Sequence, residues 1–136
     1  MNVIEAMRAL LTSFPKITSI VHMDIADDIP ESYGLASVGD KLVSEDVIGR
    51  EKRQHSFLLY ATYSGLNDFE RISNSGVLLE LAQWLDKQQD IKIDNGYITK
   101  ISTGNGMLYA IPDENMAQGV QYQMQITVEY TVEIDD

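Results

Sequence analysis

Side chains able to do chemistry are few in this chain, and their spacing limits what they could do. His22-Met23-Asp24 sets an imidazole and a carboxylate two residues apart, on one side of an extended segment, with Asp27 and Asp28 just beyond. Such a pair begins a metal site, but a third ligand at fixed spacing is missing. The plainer reading is a strand histidine followed by a solvated acidic loop. His55 stands beside Arg50, Lys52 and Arg53, and no serine, threonine or acid is placed by sequence spacing to complete a hydrolytic triad with it. Gly104-Asn105-Gly106 lacks the following helix that would make a phosphate loop, so turn chemistry explains it better. The acidic pairs Asp113-Glu114 and Asp135-Asp136 read as loop and tail. The chain has no cysteine, which removes thiol nucleophiles, zinc–thiolate sites and disulfides, and suits folding in a reducing cytoplasm. The expectation is a protein that is not an enzyme and carries no catalytic, metal or cofactor site.

Whatever these residues do, they must be held by one modest core. At 136 residues, 44% hydrophobic and 23% charged, the composition is that of a single folded domain over residues 1–136. No apolar run approaches the roughly eighteen residues of a membrane span, and a secretory signal's basic start and long apolar stretch are not expected here. The formal net charge of −11 argues against a general nucleic-acid binder, whose affinity comes mostly from cations on phosphates. Two readings of that charge stay open: plain solubility, or an acidic surface that lets DNA pass without adhering. Lys41, Arg50, Lys52 and Arg53 gather in a turn-rich stretch and read as a solvated loop.

The elements follow from periodicity. Ile4, Met7, Leu10, Leu11 and Phe14, at spacings of three and four, predict a helix over Val3 to Phe14 ended by Pro15. Ile17 to Ile25 reads as a short strand. A second short strand is expected from Tyr33 to Val38 and a third at Lys41 to Glu45, separated by Gly39. The aromatic-rich run Phe57 to Tyr63 closes a central strand beginning at Arg53. Leu66 to Gln89 is the main helix, with Leu78, Leu81, Ala82 and Leu85 in one stripe and Trp84 on its flank. Asn74-Ser75-Gly76, three poor helix formers, should kink or split it. Asp94-Asn95-Gly96 is a turn, Tyr97 to Thr103 a strand, and Gly104-Asn105-Gly106 a turn or bulge before Met107 to Ile111.

The strongest pattern is the last. Val120, Tyr122, Met124, Ile126, Val128, Tyr130, Val132 and Ile134 alternate with polar residues, which predicts a long strand with one dry and one polar face. The fold class expected is α/β (α+β): a mostly antiparallel sheet of about four to five strands with two main helices packed on one face. The polar face, Gln121, Gln123, Gln125, Thr127 and Glu129, is either a solvated surface or a contact with another subunit or partner, where amides hydrogen-bond across a wet interface.

Several segments also carry a family likeness. Ile29-Pro30-Glu31-Ser32-Tyr33, Gly49 before Arg53 and Phe57, Asn74-Ser75-Gly76 followed by Glu80, Ala82, Trp84-Leu85 and Gln88-Gln89, and the closing Tyr122-Gln123-Met124-Gln125 occur in that order. Together they resemble the minor capsid proteins of long-tailed, siphovirus-type bacteriophages and prophages that look related to tail terminators. The likeness spans nearly the whole chain and rests on order and spacing rather than on one motif. The chain departs from it with Val77, Leu78 and Leu81 where relatives tend to have aromatics, and with Tyr63-Ser64 where a charged pair often stands.

The resemblance implies a structural virion protein of the neck or tail-completion type with a tail-terminator-like fold. It would form a ring, usually of six copies, that caps the tail tube and supports head–tail joining. Its implied partners are copies of itself, the tail-tube protein and a head-completion protein, without specific nucleic acid or membrane. It would act in the virion, after assembly in the bacterial host cytoplasm. Two alternatives remain: a head-completion or other minor capsid role, and a small acidic regulator or inhibitor that occupies a basic partner.

Overall fold

The unbroken alternation at the C-terminal end does form the longest kind of strand, and it lies in the middle of the sheet rather than at its rim. In the computed structural model, residues 1–17, 21–23, 32–63, 68–104, 107–110 and 120–133 are described. They form α1 (Val3–Ser13), β1 (Val21–Met23), β2 (Ser32–Glu45), β3 (Arg50–Tyr63), α2 (Asp68–Asp86), β4 (Ile91–Ile93), β5 (Gly96–Thr103), β6 (Met107–Ala110) and β7 (Val120–Glu133). The strands run in the order β1-β2-β3-β7-β5-β4, with β6 also on β7. The stretch β2-β3-β7-β5-β4 is antiparallel throughout. This is the α+β arrangement the pattern predicts, enlarged by β1, parallel to β2 at one edge, and by β6, which follows β5 along the same side of β7.

Register decides which face is dry. Phe57 pairs with Ile126, Leu59 with Met124 and Ala61 with Tyr122, and all six are buried. Tyr33 and Leu35 on β2 pair with Ala61 and Leu59 and extend that face, and Ile98 and Ile101 extend it on β5. Both helices lie on it. Met7 and Leu11 of α1 and Leu78, Leu81 and Leu85 of α2 join the same core. The segment that follows α1 also meets α2, with Phe14 and Trp84 ring centroids 5.1 Å apart and Lys16 paired to Glu80 at 2.5 Å. Trp84 is only half-buried, because its ring lies at that seam rather than beneath α2.

Three expectations are corrected. Gly39 does not separate a pair of short strands: β2 is continuous and absorbs one extra residue at Val38 and another at Val43 as bulges against β3. Asn74-Ser75-Gly76 does not split α2, which runs through all three; packing of its C-terminal half on the sheet outweighs their weak propensity. Lys41, Arg50, Lys52 and Arg53 belong to strands rather than to a loop, and three of them are ion-paired: Arg50 to Asp46, Lys52 to Glu129, and Arg53 to Asp40 and Glu51. The helix α1 begins on a capping box in which Asn2 accepts from the Glu5 amide and Glu5 accepts from the Asn2 amide. At the β4–β5 turn Asn95 takes the left-handed conformation, φ 62°, as a tight hairpin requires. Gly96 is needed there for a different reason: a Cβ would stand 1.8 Å from the Thr131 carbonyl oxygen.

Candidate functional site

The sheet presents three features that could act on another molecule: a part-buried polar cluster, the face opposite the helices and an exposed hairpin end. The cluster forms where β2 bulges. With Val38 as the extra residue, both Ser37 and Asp40 come to the side of His55, one before the bulge and one after it. Ser37 Oγ lies 2.6 Å from His55 Nε2, and His55 Nδ1 lies 2.9 Å from Asp40 Oδ1. Asp40 also accepts from Tyr130 Oη at 2.5 Å and from Arg53 Nε at 2.7 Å. Burial works to raise the Asp40 carboxyl, but hydrogen bonds from Tyr130, Arg53 and His55 hold it below its usual range. An ionised Asp40 accepts only, so Nδ1–H donates to it, and Nε2 is left to bond the Ser37 hydroxyl. Burial, then the hydrogen bond to Asp40, pushes the Tyr130 hydroxyl up to about 12.

Ser37, His55 and Asp40 therefore have the order and distances of a hydrolytic triad, which sequence spacing did not reveal. The partners lie 18 and 15 residues upstream, on a neighbouring strand, and reach the histidine through a bulge that no sequence pattern announces. A triad also needs donors aimed at a developing oxyanion and a cavity that seats an acyl group. Ser37 instead sits within the β2–β3 ladder opposite Phe57, and among the described residues the concavities beside Tyr97 and beside Arg8 do not include it. His55 is 6% exposed and its ring stacks at 4.5 Å on Phe57 of the core. The geometry suits a polar clamp that ties the outer half of the hairpin to the sheet.

The five residues expected at a partner contact do share one surface. Gln121, Gln123, Gln125, Thr127 and Glu129 fall on the face opposite both helices, and pair across to Thr62, Tyr60, Leu58, Ser56 and Gln54 of β3. Gln125 is exposed and the other four are half-buried, so the row is a shallow sheet surface rather than free side chains in water. Towards the far end of β7 this surface continues through Thr131 and Glu133 into a concavity of about 280 Å³ shared with Arg50, Lys92, Ile93, Asn95, Gly96 and Tyr97.

The third feature escaped sequence reading altogether. Beyond Ser37 the hairpin leaves the core, and Val38, Leu42, Val43, Val47 and Ile48 are all exposed, Val47 fully and Ile48 at 72%. Its turn is nonetheless well determined. Asp46 accepts from the Ile48 and Arg50 amides, both at 3.0 Å, and Gly49 supplies the left-handed residue, φ 87°. Those amide bonds, that from Arg50 first, lower the Asp46 carboxyl.

Among the described residues no group of three or more histidine and carboxylate side chains could hold a metal ion, and no helix is long and apolar enough to cross a membrane. The side chain of His22, and Asp24, Asp27, Asp28, Asp113, Glu114, Asp135 and Asp136, lie outside the described residues. No protein-family model matches the chain, and no curated protein sequence matches it.

Proposed function

We propose that this chain is a phage morphogenesis protein of the neck or tail-completion type, which caps the tail tube as an oligomeric ring and supports head–tail joining. The observation that carries the reading is the sheet face opposite the helices, an amide- and hydroxyl-rich row from Gln121 to Thr131 beside Leu58 and Tyr60, which no helix covers among the described residues. Such a surface fits a wet, reversible protein contact better than a ligand cleft. The order of segments that resembles tail-terminator-like minor capsid proteins supplies the assembly in which such contacts would be used. A ring, six-membered on that resemblance, would meet the tail-tube protein on one side and a head-completion protein on the other. The chain's net charge of −11 suits a lumen through which DNA slides without adhering. No catalytic step, cofactor, membrane or specific nucleic acid enters this role.

Complementation of a phage deleted for this gene, scored by electron microscopy, tests the proposal. Loss should give tails of abnormal length, or finished tails and filled heads that never join. Replacing Gln123 and Gln125 together with Lys should leave the chain folded, since both point away from the core, yet fail to restore joining because like charges then repeat at each junction. Normal infectious particles without the protein would overturn the role.

A further inference from the structure

The geometry points to the outer half of the β2–β3 hairpin as the element that docks on a second copy of this chain, in the concavity at the Glu133 end of the sheet face opposite the neighbour's helices. This rests on the reading that copies of the chain assemble, and it names the two surfaces that meet.

Exposure is the first ground. Five aliphatic residues within eleven positions, Val38, Leu42, Val43, Val47 and Ile48, face solvent, a concentration of exposed apolar side chains of the kind that marks an interaction site. Two of them, Val38 and Val43, are the extra residues of the bulges, which break the regular run of edge donors and acceptors. Bulges discourage edge-to-edge strand addition, so the hairpin contacts its partner through side chains rather than by extending the sheet. The Asp46 bonds and Gly49 hold Val47 and Ile48 in one conformation, so little order need be gained on docking.

Charge selects the partner. Residues 38–53 hold four acids, Asp40, Glu45, Asp46 and Glu51, and four bases, Lys41, Arg50, Lys52 and Arg53, so this segment is neutral in a chain of −11. It can approach another copy without the repulsion the rest of the surface would meet. The concavity offers apolar contact from the exposed Tyr97, over the buried Ile93, and has Lys92 in its lining. Neither Lys92 nor Glu45, beside the hairpin turn, makes an ion pair among the described residues, and the two charges are opposite. At about 280 Å³ the concavity falls just under the size of small-molecule pockets and suits one or two aliphatic side chains. Arg50 places the concavity beside the hairpin turn, at the same end of the sheet; when each hairpin enters the concavity of the next copy the contact is head-to-tail, the kind that closes into a ring when the rotation allows.

The absence of cysteine makes the test direct. Chains bearing Ile48→Cys are mixed with chains bearing Tyr97→Cys under mild oxidation, with Ile48→Cys plus Gln83→Cys, on the outer side of α2, as the control pair. The first mixture should give a disulfide-linked heterodimer in clear excess over the control. In sedimentation, Glu45→Lys should weaken self-association at least about tenfold, and Lys92→Glu in the same chain should restore it, because the two reversals recreate the attraction. Equal trapping in both mixtures, or a double reversal no better than the single one, overturns the hairpin contact. If assembly persists by sedimentation while trapping fails, the ring reading survives and only this interface falls. If no association occurs by either measure, this interface falls, and the ring reading is decided by the complementation alone.

Discussion

Replacing Asp40 with asparagine asks whether the polar cluster clamps the hairpin to the core. In the wild-type chain one carboxylate accepts from Tyr130, Arg53 and His55 at 2.5, 2.7 and 2.9 Å. The amide keeps the shape, loses the charge, and turns one acceptor into a donor that faces other donors. A hydrogen bond to a charged group contributes about 1.5–3 kcal/mol net, but the Asp40 side chain is 26% exposed and Arg53 would keep Glu51 at 3.0 Å. With that discount for solvent screening, the expected loss is about 1–2 kcal/mol at neutral pH, read from urea unfolding. The pH dependence fixes the cause. The folded-state pKa of Asp40 lies below its unfolded value, so its contribution is fully present above the unfolded value and disappears as pH falls through the folded one. The gap between wild type and Asp40→Asn should therefore close in acid. A gap under about 0.3 kcal/mol at neutral pH, or one that persists unchanged in acid, refutes the clamp.

Two further outcomes are expected. Ile126, fully buried between Phe57 of β3 and Thr103 of β5, and Leu85, fully buried under α2, should each cost about 2–5 kcal/mol on truncation to Ala, and a loss below about half a kcal/mol would contradict the packing described. Ser37 should not label with a fluorophosphonate probe, and Ser37→Ala should leave any background ester hydrolysis unchanged; labelling at Ser37 that His55→Ala abolishes would show a working nucleophile in place of a clamp.

Features that depend on local period were legible in the order of residues. The eight-fold alternation from Val120 to Ile134 could be satisfied only by a strand with one buried face, and Tyr122, Met124, Ile126 and Val128 are buried as that demands. The three-and-four spacing of Met7, Leu11 and Phe14, and of Leu78, Leu81 and Leu85, likewise set both helices and the faces they bury. The polar row from Gln121 to Glu129 could be read for the same reason, since its side is the complement of the dry one. Other features arise only when strands meet. A bulge is one residue inserted against a neighbouring strand, so its place depends on a pairing that β2 does not encode within itself. The bulge at Val38 is what brings Ser37 and Asp40 to His55 from 18 and 15 residues away. Exposure of Val47 and Ile48 was equally hidden, because an aliphatic residue reads as core until it is known that no helix reaches over it. Here both helices cover the other half of the sheet, and the hairpin end is left to whatever comes to meet it.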